Sequence, residues 1–295
     1  MLTANMKTFY IPTLAVVLTL AAIPVTAQRD MSKVEIKATA VAGNIHMLEG
    51  QGGNIAVSTG PDGVLMVDDQ FAPLAEKIAA AIEKLDHGPI KFLLNTHWHG
   101  DHTGGNAHFG KRASIVAHAN VRKRLADKSD TPKEALPVIT FDDSASVHIN
   151  GEEVRLIHLG PGHTDGDSII HFTKSGVVHM GDLFFNGRFP FVDLGSGGDV
   201  AGLLKNIEAA LPKIPADAKI IPGHGALASK ADLEKYRDML VETTGLVKKA
   251  LAEGKTLADV KAAGVPEKYK EWGSGFINAG RWLEISYNSL SKKSQ

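Results

Sequence analysis

The sequence predicts an α/β protein of one domain, in which two β-sheets pack face to face and carry helices on their outer surfaces, a four-layer αββα sandwich. Two observations favour this fold class. The order strands, helix, strands, helices occurs along the chain in two similar halves. No low-complexity tract and no internal repeat divides the sequence, so a single domain is expected over residues 28–295.

The first half begins with short strands separated by Gly residues and a Pro-Asp-Gly turn, the pattern of an antiparallel sheet. These strands are predicted at Val34–Ala38, Ile45–Leu48, Asn54–Thr59 and Val64–Val67. A helix follows, because apolar residues recur at helical spacing from Leu74 to Leu85. The half continues with a strand at Ile90–Leu94, a strand at Ser114–Ala117 and a basic helix at Asn120–Lys128.

The second half repeats this alternation from Phe141 onward. Its strands are predicted at Val154–Leu159, Ser168–Phe172, Val177–Met180 and Lys219–Ile221. Helices are predicted at Val200–Leu211, after Ser229 and at Ile277–Leu290. Ser229 has Asp232 three residues after it, which is close to a capping box and predicts the start of the long helix.

Composition excludes several classes of protein and site. The chain has 295 residues, of which 43% are hydrophobic and 22% charged, as expected of a globular protein with a sizeable core. A formal net charge of -1 provides no strong field to recruit nucleic acid or an anionic membrane. The chain has 13 His and no Cys, which excludes disulfides, thiolate nucleophiles and Cys-ligated metal sites. Any metal is therefore held by nitrogen and oxygen atoms.

Residues 1–27 are predicted to be a secretory signal peptide. Lys7 precedes the apolar run Ile11–Ile23, which is short for a membrane span, and cleavage is expected after Ala27. A retained N-terminal anchor is the alternative, and Met6 is an alternative start. The mature domain, residues 28–295, is expected to be periplasmic or secreted, without membrane contact after cleavage.

The segment that follows Ile90–Leu94 carries four metal-capable side chains within six positions. His97 and His99 are two residues apart in an extended segment, so both can reach one ion. The next glycine permits a sharp turn that can direct two further side chains toward a second ion. Those two side chains are Asp101 and His102.

Three later segments share one design, in which a strand ends and a glycine precedes a metal-capable side chain. The side chains are His163, Asp182 and His224. Ligands at the ends of several strands converge on one edge of a sandwich, where an ion can lie in a cleft. The full set of five His and two Asp suits two borderline ions such as Zn²⁺, whereas calcium would require more oxygen.

These motifs resemble those of the metallo-β-lactamase-fold hydrolase superfamily, over about Ile45 to Leu227. The family's HxHxDH motif stands here as His97-Trp98-His99-Gly100-Asp101-His102, and its later ligands match His163, Asp182 and His224. The resemblance implies the αββα fold and two zinc ions per chain. It also implies that Asp68 matches the acidic residue beneath the family's site and fixes the orientation of a ligand.

The resemblance further implies how the ligands divide between the ions. One zinc is expected on His97, His99 and His163, the second on Asp101, His102 and His224, with Asp182 bridging both. In such a site the two ions share a water and lower its pKa to around neutrality, and the resulting hydroxide attacks a carbonyl carbon. Asp101 is expected to orient that water and to pass its proton onward.

The loop that follows Asp182 is a candidate substrate-binding segment. Asn186 and Arg188 can bind a substrate carboxylate, and Phe185 and Phe189 can form apolar walls. The alternative is an aromatic loop that packs on the core and leaves Arg188 in water.

The resemblance leaves the substrate open. The full ligand set looks like that of glyoxalase-II-type thioesterases, lactonases and exported hydrolases of quinoprotein-linked systems, so a small ester, thioester, lactone or β-lactam is the expected substrate. A true metallo-β-lactamase is one alternative, although Asp182 stands where some lactamase subclasses place a Cys. An iron-dependent redox member of the fold is another. A nucleic-acid partner is not expected, given the net charge of -1 and the predicted export.

Overall fold

A computed structural model describes residues 30–292, so the predicted signal peptide, the cleavage site and the alternative start at Met6 lie outside the described residues. From Met31 onward the chain forms one compact unit. Two β-sheets form its centre, and each sheet takes most of its strands from one half of the chain, as the repeated order of elements predicts.

Within residues 30–292, the first sheet contains seven strands in sequence order. They are β1 (Lys37–Ala42), β2 (Ile45–Glu49), β3 (Ile55–Ser58), β4 (Val64–Val67), β5 (Ile90–Leu94), β6 (Ser114–His118) and β7 (Ile139–Phe141). Strands β1 to β4 pair antiparallel, and β4 to β7 pair parallel. Strand β4 is buried along its whole length and β5 is buried at Leu93 and Leu94, as is expected where parallel strands are covered on both faces.

The second sheet contains six strands within the same described range, in the order β13-β12-β11-β10-β9-β8. They are β8 (Ser144–Ile149), β9 (Glu152–Ile157), β10 (Ile169–Phe172), β11 (Val177–His179), β12 (Lys219–Ile221) and β13 (Ala228–Ser229). Strands β8 to β11 pair antiparallel, and β11 pairs parallel with β12.

Helices cover the outer face of each sheet. The α-helices of the described residues are α1 (Ala75–Glu83), α2 (Gly100–Thr103), α3 (Asn106–Phe109), α4 (Ala119–Ala126), α5 (Val200–Ala210), α6 (Lys230–Ala252), α7 (Leu257–Ala263) and α8 (Ala279–Ser291). The predicted capping box opens α6: Asp232 N–H donates to Ser229 Oγ, and Ser229 N–H donates to an Asp232 oxygen at 3.1 Å.

Three buried clusters hold the layers together. One lies between the sheets, where Leu65 and Leu94 of the first sheet meet Leu156 and Ile170 of the second. A second packs α1 and α3 against the outer face of the first sheet, and a third packs α5, α6 and α8 against the second. The four-layer αββα sandwich predicted from the sequence is confirmed.

A few predicted elements differ in extent from the structure. The first strand runs over Lys37–Ala42 rather than Val34–Ala38. Val34 and Ile36 instead pack beside the outer cluster of the first sheet, and Lys77 Nζ donates to the carbonyl of Val34 at 2.8 Å. Apolar alternation in this segment therefore reflects packing against α1 and not strand pairing.

Among the residues that the structure describes, no helix combines the length and apolar character that a membrane span requires.

Candidate metal centre

The candidate ligands lie at one edge of the sandwich, where strands of both sheets end. The segment after β5 carries the first motif, and loops after β9, β11 and β12 bring the others to the same place. Backbone hydrogen bonds fix these loops to one another: Gly223 N–H donates to the carbonyl of Gly181 at 2.8 Å, and Asn54 N–H donates to the carbonyl of Gly223 at 2.8 Å. All seven predicted ligands come together in two neighbouring groups. The groups are His97, His99, His163 and Asp182, and Asp101, His102 and His224.

In the first group, three imidazole rings point nitrogen atoms at one spot. His99 Nδ1 lies 3.1 Å from His97 Nε2 and 2.8 Å from His163 Nε2. The other nitrogen of two of these rings has an oxygen partner: His163 Nδ1 is 2.7 Å from the carbonyl of Phe191, and His99 Nε2 is 3.0 Å from Asp193 Oδ2. Both partners accept, so each ring places its proton there and turns a lone pair toward the centre.

In the second group, a carboxylate joins two imidazoles. His224 Nε2 lies 3.4 Å from Asp101 Oδ2 and 3.5 Å from His102 Nε2. His102 Nδ1 lies 2.7 Å from Asp68 Oδ2, which accepts its proton and leaves His102 Nε2 to face the centre. The structure thus places Asp68 directly against a candidate ligand, fully buried beneath the site.

The carboxylate of Asp182 lies between the two groups, with one oxygen toward each. Oδ2 is 3.4 Å from His163 Nε2 and 3.8 Å from His97 Nε2. Oδ1 is 3.1 Å from His102 Nε2 and 3.4 Å from His224 Nε2. This is the arrangement that a carboxylate bridging two ions requires.

The electrostatics of the two groups fit bound cations. Burial lowers the pKa of His163 to about 4 and holds that of His97 well below its usual range. Both imidazoles are therefore neutral near pH 7, and each can offer a lone pair to a cation. Burial acts to raise the pKa of Asp182, but the surrounding histidines, His224 first, hold it well below its usual range. Burial acts to lower the pKa of His224, but the negative charge of Asp182 outweighs burial and raises this pKa to about 9. The group therefore favours a positive charge at this position. Nitrogen and carboxylate donors of this kind suit Zn²⁺ and similar ions.

One side of the centre opens to solvent. Three of the ligand side chains are exposed by 17% (His99), 26% (Asp101) and 21% (His224), whereas that of Asp182 is exposed by 5%. The other three ligands are buried, so a substrate reaches the site from this open side.

Two glycines allow the close approach of backbone to the ligands. A Cβ on Gly53, in the loop between β2 and β3, would overlap the ring of His102, and a Cβ on Gly223 would overlap Asp182 Oδ1. The loop that holds Gly53 is also tied down, since Asn54 Nδ2 donates to the carbonyls of Pro222 and Gly225 at 2.9 Å each.

The residues predicted to bind substrate lie beyond the ligands. Asn186 Nδ2 donates to the carbonyl of Ala226 at 3.0 Å, and Arg188 is exposed. Phe185 stacks on the ring of His224 with centroids 5.2 Å apart, so it does line the site. Phe189 does not: it is 1% exposed and stacks on Trp282 in the core, so its expected role as an apolar wall is wrong.

Sequence reasoning missed two groups that hold ligands in place, Asp193 and the carbonyl of Phe191. Asp193 also accepts from the backbone N–H of Ser196, so in sequence it reads as an ordinary turn residue. Its contact with His99 joins residues 94 positions apart and has no local signal.

The chain belongs to the metallo-beta-lactamase superfamily, whose sequence model matches residues 38–263. It is 25% identical over 140 residues to a metallo-beta-lactamase type 2 of Bacteroides fragilis, covering 47% of this chain and 55% of that protein. It is 33% identical over 153 residues to a hydroxyacylglutathione hydrolase of Rhodospirillum rubrum, covering 51% of this chain and 54% of that one. The chain thus spans about half the length of these curated relatives.

Solved structures share the fold. A metallo-beta-lactamase from Pontibacter korlensis superposes with a TM-score of 0.61 at 17% sequence identity, covering 70% of this chain and 99% of that one. At this identity the likeness concerns the fold alone.

Proposed function

We propose that this protein is an exported hydrolase that uses two zinc ions to cleave a small carbonyl compound, an ester, thioester, lactone or β-lactam. The observation that carries the proposal is the pair of ligand groups that share Asp182, one carboxylate oxygen facing each. A single structural ion would need only one group and no shared carboxylate.

In this proposal the first ion is held by the nitrogen atoms of His97, His99 and His163, and the second by Asp101, His102 and His224. Asp182 would contact both. When bound, zinc ions supply Lewis acidity toward a carbonyl oxygen and lower the pKa of a water molecule to near neutrality.

The chain's own residues then have distinct tasks. Asp101 lies on the open side of the centre, where Oδ2 can accept a proton from the attacking water and release it to solvent. The buried Asp68 and the carbonyl of Phe191 each accept a hydrogen bond from a ligand imidazole N–H and so fix the orientation of that ring. The partly exposed rim admits a substrate, while the core beneath keeps the ligands in place.

The named relatives support a carbonyl substrate in two forms. One relative is named a hydroxyacylglutathione hydrolase, which favours a thioester, and another a metallo-beta-lactamase, which favours a β-lactam as the second candidate. A periplasmic or secreted location follows only from the predicted signal peptide, and a small-molecule partner follows from the resemblance of the candidate ligand set to those of hydrolases that act on small carbonyl compounds.

A substrate panel on zinc-loaded protein tests the proposal. Thioesters, lactones and β-lactams would be assayed with the wild type, with His99→Ala, and with His148→Ala as a matched control on the exposed strand β8. We expect hydrolysis of at least one class, loss of that activity in His99→Ala, and full activity in His148→Ala.

Metal analysis of the purified protein completes the test. Two zinc ions per chain are expected in the wild type. Full activity in His99→Ala, or iron as the native metal, would contradict the proposal.

A further inference from the structure

Phe276 is an exposed aromatic side chain beside the candidate metal centre. It is 91% exposed, and its ring centroid lies 6.5 Å from that of Phe191 in an edge-to-face arrangement. Phe191 in turn lies 6.1 Å from the ring of His99 and 5.9 Å from that of His163. A continuous row of rings therefore leads from two candidate ligands to open solvent.

The fold holds Phe276 in this exposed position. The next residue, Ile277, is buried in the core cluster beneath the second sheet, and Asn278 caps helix α8 by accepting from Arg281 N–H at 2.9 Å. The loop is also joined to the loop of Phe191, because Phe189 N–H donates to the carbonyl of Trp272 at 3.1 Å. Because both neighbours on its C-terminal side are anchored, Phe276 is presented to solvent by fixed backbone.

A cationic side chain, that of Arg188, lies on the loop that holds Phe191. The side-chain carbons of Arg188 run along Gly275, where a Cβ would be 3.3 Å from Arg188 Cδ. Arg188 is exposed and forms no ion pair within the part of the chain that the structure describes. An isolated exposed Phe needs no explanation. Here two aromatic rings lie beside the candidate metal centre, and the exposed side chain of Arg188 packs on Gly275, next to Phe276, so together they fit a flat apolar group bearing an anion.

We infer that Phe191 and Phe276 form a subsite that binds an aromatic substituent of the substrate, while Arg188 binds a carboxylate on the same molecule. This inference rests on the proposed hydrolase function and names the substrate class within it: carbonyl compounds whose acyl group carries an aromatic ring and an anionic group. Phe276 lies outside residues 38–263 that the superfamily model matches, whereas Phe191 and Arg188 lie within them.

The test compares two substrates that share a leaving group, a phenylacetyl and an acetyl thioester. Phe276 is the residue to change, because its side chain is exposed, whereas the ring of Phe191 contacts those of the candidate ligands His99 and His163. We expect Phe276→Ala to lower kcat/KM for the phenylacetyl thioester about fivefold to tenfold, mainly through KM, and to leave the acetyl thioester unchanged. Phe276→Tyr should restore the preference, and Val138→Ala, at another exposed apolar position far along the chain, should not alter it.

Arg188 has a test of its own. Arg188→Gln should lower kcat/KM for a phenylacetyl-type substrate that carries a carboxylate, by about tenfold, and leave the uncharged phenylacetyl thioester unchanged. An equal loss for both compounds would overturn the role of Arg188.

A binding measurement separates failure of the subsite from failure of the proposed function. Titration calorimetry of zinc-loaded protein with phenylacetate and with acetate should show tighter binding of phenylacetate, and Phe276→Ala should remove the difference. If no thioester, lactone or β-lactam is hydrolysed but this difference is present, the hydrolase proposal fails and the subsite stands. If thioesters are hydrolysed and the phenylacetyl preference is the same in Phe276→Ala, the subsite is overturned. It is also overturned if the substitution leaves hydrolysis and binding unchanged and alters only the oligomeric state, measured by size-exclusion chromatography.

Discussion

Asp68 Oδ2 lies 2.7 Å from His102 Nδ1, and both side chains are fully buried. Asp68 also accepts from the backbone N–H and the hydroxyl of Thr96, at 2.8 and 2.7 Å. The same Thr96 hydroxyl is 3.1 Å from His97 Nδ1, so one buried carboxylate is linked to a ligand in each group. Orientation of the imidazoles therefore depends on a residue that contacts no ion.

Asp68→Asn is expected to weaken metal binding about tenfold to a hundredfold. The amide replaces an acceptor of His102 Nδ1–H by a donor, so the ring loses the partner that turns Nε2 toward the second group. Asn tolerates the left-handed backbone of this position, where φ is 61°, so the fold should persist. Competition with a chelator, followed by metal analysis, measures the effect.

Asp193→Asn provides the matched control for the other group, because Asp193 Oδ2 contacts His99. We expect Asp193→Asn to weaken mainly the ion of the first group. Asp68→Asn should weaken the ion of the second group most, with a smaller effect on the first through Thr96 and His97. Equal loss of both ions in both variants would contradict separate orienting roles.

Asp182→Ala is expected to reduce the metal content to near one ion per chain. The substitution removes the carboxylate whose two oxygens face the two groups, at 3.1 Å and 3.4 Å from the nearest imidazole nitrogens. Asp182→Asn keeps one oxygen donor and should lie between wild type and Ala in metal content. Two tightly held ions in the Ala variant, found by metal analysis after dialysis, would rule out a bridging role.

The ligand set was predictable from sequence because every ligand has a local signal. Each lies within a few residues of a strand end and a glycine, and strand ends on one edge of the sandwich come together whatever the conformation of the loops. The fold class was predictable for a similar reason, since the period of the apolar residues in β5 or α1 depends only on neighbouring positions.

Other parts of the site have no such signal. Phe189 and Phe191 are separated by one proline in a loop without regular period, yet the first is buried against Trp282 and the second faces His163. Which of them lines the site depends on packing against α8, far along the chain. Asp193 was missed for the same reason, because its role arises from tertiary contact.

Gly53→Ala is expected to displace the ring of His102, because the added Cβ would overlap it. At least one ion should be lost. The unfolding temperature should also fall, because the free energy of unfolding decreases by about 1–3 kcal/mol. Gly245→Ala is the control: this helical glycine has open space around its Cβ position, so alanine should stabilise α6 by about 0.5–1 kcal/mol. Thermal unfolding of both variants would show shifts of opposite sign, and an unchanged metal content in Gly53→Ala would contradict the close approach.

His118 is expected to make stability depend on pH away from the metal centre. Its ring stacks on that of His158 with centroids 4.0 Å apart, and burial first, then the charge of His158, lowers the pKa of His118 from 6.5. The unfolded chain therefore takes up this proton before the folded protein does. Its contribution to stability is full above about pH 6.5 and is lost as the pH falls through the lowered pKa of the folded state.

His118→Asn isolates this effect. Asn120 N–H donates a hydrogen bond to His118 Nδ1 at the start of α4, and the side-chain oxygen of asparagine can accept the same hydrogen bond. The difference in unfolding free energy between wild type and variant, measured by urea denaturation, should be constant above about pH 6.5 and shift in favour of the variant below it. Taking the difference cancels loss of metal at low pH, which affects both proteins alike. His118→Ala removes the cap as well and should be less stable than His118→Asn at every pH, by about 1 kcal/mol. A difference between wild type and the Asn variant that does not vary between pH 5 and pH 8 would show that the pKa of His118 is not lowered in the folded protein.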